Sequence, residues 1–325
     1  MLIDFGGAKS QPITREKHML PHNGRLFAPT IALLLSSTLA LAVEPKQVHS
    51  LDQLPAAFKS KDGRAKFREQ ISGVPMADGF GTTLPVGLTV SAVAQLVAPG
   101  RDAALATLVG VKPWPYRANT FVAIVCLAAN KAAHDDDLKY NQGHPTCAAK
   151  EVHLAMLEYQ ATDQLPKRIA SYGKALDIMT SWERSSMLPP VSADDKPTLP
   201  GDYLRFDFAP FKISPTETAF GIRVGWSQSY SGGGADSQAL MLFALDGDRL
   251  INILSVPIYY SENLAGDWHK DGTRDHSLSE DEGIVTFLAK KTNGHFDLQL
   301  KGKREKWKQV FVWDDQAKRY QPESQ

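Results

Sequence analysis

The chain has 325 residues, of which 43% are hydrophobic, and its 36 basic and 36 acidic side chains give a net charge of zero. This balance excludes a strongly basic protein that binds nucleic acid through its phosphates or binds an anionic lipid surface. The apolar content is ordinary for a globular protein, so the chain has enough apolar material to bury a core.

The N-terminal residues 1–42 are predicted to be a signal peptide. An uncharged stretch of about 15 residues follows Arg25 and ends in Ala40-Leu41-Ala42, the small-residue pattern at which such peptides are cleaved. The stretch is shorter than the roughly 20 residues that a membrane-spanning helix needs. A start at Met19 would give a leader of ordinary length. We therefore expect a periplasmic or secreted protein without a membrane span after cleavage.

Residues 43–184 are predicted to form an N-terminal region that begins with short helices. Apolar side chains recur at helical spacing over residues 50–71, and Asp62-Gly63 is expected to divide this segment into two helices. One more short helix is predicted over residues 91–97.

Strands are predicted to follow in the same region. Residues 104–111, 120–128 and 151–160 are apolar or alternate in polarity, and a polar loop is expected between the second and third of them. The two cysteines, Cys126 and Cys147, lie at the ends of this loop. In an exported chain, a single pair of cysteines predicts a disulfide bond.

Residues 185–202 contain four prolines and are predicted to be a linker. Residues 203–325 are predicted to be an antiparallel β region, because hairpin turn signals such as Asp246-Gly247 and Asn293-Gly294 separate runs of strand-like composition. The predicted fold is mainly β (α+β overall), with short N-terminal helices and an antiparallel meander or sandwich-like set of hairpins. Propeller-like blades are a minor alternative.

Two segments are weak candidates for ligand-binding loops. The first contains Gly232, Gly233, Gly234 and Asp236, and consecutive glycines leave backbone amides free to face a ligand. It lacks the lysine and the following helix of a nucleotide-binding loop. A plain connection between strands explains the glycines equally well.

The second segment, residues 267–276, contains His269, Asp271, Asp275 and His276. Imidazole and carboxylate groups bind divalent metal ions and also perform acid–base chemistry. Their spacing matches no established ligand motif, and a charged turn at Asp271-Gly272 is the simpler interpretation. No metal site, catalytic residue or cofactor is predicted.

The sequence contains no complete catalytic motif, which disfavours an enzyme without excluding one. The main hypothesis is an exported, soluble, non-enzymatic binding protein that contacts an envelope component or another protein through loops on a β scaffold. One alternative is an envelope hydrolase or metal-binding protein that uses residues 267–276. Another is a structural envelope protein without a dedicated ligand.

Overall fold

The computed structural model describes residues 44–74, 76–141, 146–159, 166–182, 185, 187, 197–303 and 307–323. The predicted signal peptide lies outside these residues, as does most of the predicted linker at 185–202, so both stay predictions. Among the described residues, no helix has the length and apolar character needed to cross a bilayer.

In the described part of the N-terminal half of the chain there are four α-helices. They are α1 Leu54–Ala57, α2 Lys61–Ser72, α3 Val90–Val97 and α4 Lys131–Tyr140. Polar side chains begin the three longer helices, since the side chains of Ser60, Thr89 and Asn130 each accept a hydrogen bond from a backbone N–H in the first turn.

Thirteen strands of the described residues form one mixed, mostly antiparallel sheet, which confirms the mainly β prediction. They are β1 Lys46–Val48, β2 Ala106–Pro113, β3 Thr120–Leu127, β4 Glu151–Glu158, β5 Lys167–Ser171, β6 Asp202–Lys212, β7 Thr218–Tyr230, β8 Gly233–Asp246, β9 Arg249–Trp268, β10 Arg274–Thr292, β11 His295–Gly302, β12 Lys308–Asp314 and β13 Arg319–Pro322. The main path runs β13-β12-β11-β10-β9-β5-β4-β3-β2, and the hairpins β6–β7–β8 join it through β9.

The core consists of four buried clusters. The first packs β2–β4 against β6–β8, and the second joins β7–β9 to β11–β13. The third covers β2–β4 with α3. The fourth packs α1 and α2 against β1 and β10 through Val48, Leu54, Phe58, Phe67 and Leu278. This last cluster fixes the N-terminal helices beside the C-terminal strands.

The helix break in residues 50–71 lies at residues 58–60, and the prediction of a break at Asp62-Gly63 was wrong. Ser60 begins α2, because its Oγ accepts from the Gly63 N–H at 2.7 Å. Gly63 is therefore part of the first turn. A Cβ at this position would lie 2.3 Å from the Tyr259 hydroxyl, so a glycine is required by the close approach of β9.

The disulfide between Cys126 and Cys147 is confirmed, with a Cα–Cα distance of 5.3 Å. It links the end of β3 to the residues before β4. The segment between the cysteines was predicted to be a polar loop, but it contains α4. Apolar spacing is weak in this helix and none of its residues is buried, so periodicity gave no signal for it. The bond is compatible with an oxidising compartment.

Candidate functional site

The three glycines form the tight end of the β7–β8 hairpin. Gly232 lies in the turn with φ +86°, whereas Gly233 and Gly234 belong to β8 and pair with Leu264 and Asn263 of β9. A Cβ on Gly233 would lie 2.1 Å from the Asn263 carbonyl oxygen. These glycines therefore permit close strand pairing, and two of the three lie in a strand where a loop was expected.

The segment 267–276 is the end of the next hairpin, β9–β10. Trp268 pairs with Arg274, and the turn between them contains Asp271 and Gly272. Asp271 accepts from the backbone N–H and the hydroxyl of Thr273, and these hydrogen bonds lower the pKa of its carboxyl group. Asp271 therefore stabilises the turn, as the simpler interpretation of this segment expects.

The two hairpin ends meet. The Ala265 N–H donates to the Gly232 carbonyl oxygen at 2.6 Å, and a Cβ on Gly232 would lie 3.3 Å from the Arg274 guanidinium. Together with α1 and α2, the two ends enclose a groove of about 1150 Å³. Five of the candidate residues line it, namely Gly232, Gly233, Gly234, Asp236 and His276.

One side of the groove is aromatic and apolar. Phe58, Phe67 and Ile71 contribute from the helical side, and Trp268 contributes from the end of β9. The Trp268 side chain is 69% exposed, although it is a large ring on a hydrogen-bonded strand. The Arg274 guanidinium lies 5.2 Å from its ring centroid. This contact orients the ring, and the exposed remainder is available to a ligand.

The sheet side of the groove is mostly polar, and its charged side chains are Asp236 and Arg274. Gln228, Ser229, Ser261 and Asn263 line it together with Asp236. Asp236 Oδ1 accepts from the Ser227 hydroxyl at 2.6 Å, and the Gln70 amide of α2 lies 3.5 Å away. Burial raises the pKa of the Asp236 carboxyl group. Amides and hydroxyls can both donate and accept, so this wall suits a ligand rich in hydroxyl groups.

A second set of side chains meets at the end of the β9–β10 hairpin, outside the residues that line the groove. His49 Nδ1 and His269 Nε2 both lie close to Asp275 Oδ1, at 3.0 and 2.9 Å. The hydrogen bond to Asp275 raises the pKa of His269, and the bonds from His269 and His49 lower the pKa of Asp275. We call these three residues the His-Asp cluster.

The structure separates His276 from this cluster. Its Nδ1 lies 3.2 Å from Asn263 Oδ1, the ring is buried, and burial lowers its pKa. Arg274 and His276 line the groove, while Asp275 between them does not, as expected from the alternation of side chains along a strand.

Sequence reasoning missed two contributors. His49 lies 226 residues from Asp275 and reaches it because β1 pairs with β10, where Val48 is opposite His276. Gln70 reaches Asp236 because α2 packs beside the hairpins. Neither contact follows a local pattern in the sequence.

Comparisons of the chain with protein-family models, with curated proteins and with solved structures found no match.

Proposed function

We propose that the protein is a non-enzymatic binding protein of the cell envelope, and that it binds an oligosaccharide segment of an envelope component in the groove. The observation that carries this proposal is the meeting of two hairpin ends and α2 around one groove that contains an exposed tryptophan.

Trp268 supplies an apolar face on which a sugar ring can stack. The Trp268 side chain is 69% exposed at the end of the β9–β10 hairpin. Its apolar face is weakly hydrated, so a ligand that covers this face loses little hydration free energy. The guanidinium of Arg274 holds the ring against the hairpin, so little side-chain freedom is lost on binding.

The opposite wall supplies the polar contacts. A sugar hydroxyl donates one hydrogen bond and accepts others, and the amides of Gln228 and Asn263 offer both a donor and an acceptor. The hydroxyl groups of Ser229 and Ser261 add further partners along the same wall. The groove is larger than a typical small-molecule pocket of about 300–1,000 Å³, which favours an extended ligand over a compact one.

The experiment is a titration of the purified protein with soluble oligosaccharide fragments of bacterial envelope polymers, followed by tryptophan fluorescence and calorimetry. Trp268→Ala should weaken binding by about two- to tenfold, because an aromatic contact contributes about 0.5–1.5 kcal/mol. Asn263→Ala should weaken it as well. Tyr140→Ala is the matched control, since Tyr140 is 79% exposed on α4 and does not line the groove.

Three results would contradict the proposal. The first is a wild-type protein that binds none of the fragments, and the second is equal binding by the groove variants and the control. Cleavage of a fragment, detected by mass spectrometry, would replace the binding function by the hydrolase alternative.

A further inference from the structure

We propose that His49, His269 and Asp275 form a zinc-binding site with three protein ligands. The proposal concerns the His-Asp cluster alone and does not rest on the function proposed for the groove. Within the described residues, this is the one group of three or more His, Cys, Asp or Glu side chains whose ligand atoms lie within 4.8 Å of one another.

The spacing of the ligand atoms is close to what zinc requires. Tetrahedral zinc binds imidazole nitrogen and carboxylate oxygen at about 2.0–2.2 Å, which places neighbouring ligand atoms roughly 3.3 Å apart. The two nitrogen–oxygen distances, 3.0 and 2.9 Å, are within half an ångström of that value. The two imidazole nitrogens lie within 4.8 Å of each other, so small movements of the three side chains admit the ion.

The backbone that carries the ligands is held in place. The His269 N–H donates to the Thr273 carbonyl oxygen at 2.8 Å, and its own carbonyl accepts from Gly272 at 3.1 Å. The His49 N–H donates to the Gln53 side chain at 3.1 Å, and Asp275 lies within β10. The ligands therefore need little reorganisation, which is a condition for useful affinity at a site of few ligands.

The donor set selects the class of metal. Two imidazoles and one carboxylate favour zinc and neighbouring transition metals, whereas Ca²⁺ and Mg²⁺ prefer oxygen ligands alone. When zinc binds, each imidazole coordinates through the nitrogen that faces Asp275. A neutral ring then carries its proton on the other ring nitrogen, and a protonated ring releases one proton to water. Three protein ligands leave a fourth position for water or for an atom of a bound molecule.

Binding would join two parts of the chain that are distant in sequence. His49 follows β1, whereas His269 and Asp275 belong to the β9–β10 hairpin. Zinc should therefore slow hydrogen exchange in β1 and raise the melting temperature, as any ligand of the native state does.

The test is a calorimetric titration of untagged, metal-free protein with Zn²⁺, supported by the visible absorption of bound Co²⁺. We expect one zinc ion per chain. Asp275→Asn should weaken binding by about tenfold or more, while the amide keeps the size and shape of the carboxylate. His49→Ala and His269→Ala should have the same effect, and Ca²⁺ and Mg²⁺ should not compete.

His134→Ala is the matched control. The His134 and Asp135 side chains are 3.3 Å apart on α4, but they belong to no three-ligand group among the described residues. Trp268→Ala should also keep zinc binding, which separates this proposal from the groove. Circular dichroism without metal tests whether each variant is folded.

Absence of zinc binding by the wild type would overturn the proposal. Equal binding by Asp275→Asn and the wild type would also overturn it, because the ion would then lie elsewhere.

Discussion

Replacing Glu280 by alanine tests how the helical wall of the groove is held to the sheet. Glu280 lies in β10 and is 5% exposed. Its carboxylate accepts from the backbone N–H groups of Lys59 and Ser60, at 2.8 and 3.0 Å, and from the Tyr259 hydroxyl at 3.2 Å. Two backbone N–H groups of the segment between α1 and α2 are therefore held to the sheet by this side chain.

The magnitude follows from these contacts. Each buried donor that loses its acceptor costs about 1–3 kcal/mol, and hydrogen bonds to a charged group are at the upper end. Water entering the space recovers part of this cost, so we expect Glu280→Ala to destabilise the docked helices by about 3–5 kcal/mol. Glu280→Gln should cost about 1–2 kcal/mol, since its amide oxygen still accepts while its NH₂ group faces a donor.

Hydrogen exchange measured by mass spectrometry is the appropriate assay, because a segment can open without global unfolding. A loss of about 3 kcal/mol corresponds to exchange roughly 100-fold faster in α2. Glu282→Ala is the control, as Glu282 lies on the same strand and pairs with Lys303 at the surface. Unchanged exchange in α2 of Glu280→Ala would refute this account of how the helices are held.

Three further predictions concern stability. Cys126→Ser combined with Cys147→Ser should destabilise the protein by about 3 kcal/mol, because the bond closes a loop with a sequence separation of 21; a thermal melt under non-reducing conditions that matches the wild type would contradict this. Burial raises the pKa of Asp202 to about 6, so the folded state binds this proton more tightly than the unfolded state. The stabilisation that protonated Asp202 gives the wild type is then present below about pH 4 and is lost as the pH rises towards 6. Asp202→Asn should therefore stabilise the protein by about 3 kcal/mol at pH 7 and hardly at all at pH 4. A gain that is equal at both pH values would argue against the mechanism. Lys290→Met removes the cation that lies 3.3 Å from the fully buried Asp297. It should lower the melting temperature more than Glu323→Gln, which removes only the exposed partner of the same lysine. Equal shifts in melting temperature would contradict this.

Local turn chemistry made much of the β region predictable. Asn293 and Gly294 have φ values of +51° and +83° in the turn between β10 and β11, the conformation that an Asn-Gly pair favours. The same reasoning, applied to Asp246-Gly247, located the end of β8 and the start of β9. Such turns specify neighbouring strands, and hairpins account for most of the pairs in this sheet.

Pairing between distant segments was not predictable in this way. The three-residue strand β1 carries no clear alternation, and its pairing with β10 depends on the packing of Phe58 and Phe67 against Leu278. The candidate site reflects this division. His269 and Asp275 were visible as a local pair of metal-ligand types, but His49 could not be assigned to them without the β1–β10 register.

The distance in sequence between β1 and β10 also sets an order of folding. Gln47 of β1 pairs with Ser277 of β10. The ribosome must therefore add about 230 residues after β1 before its partner strand exists. Contacts of such long range form late, because the closure of the chain between them costs entropy before any stabilisation is gained. During synthesis, the apolar side of α1 and α2 stays uncovered until β10 has been made. In that interval it is prone to non-native association with other apolar surfaces. The groove and the His-Asp cluster can thus assemble only after the β9–β10 hairpin has been made, although the helices and His49 that complete them are among the first described residues to be synthesised.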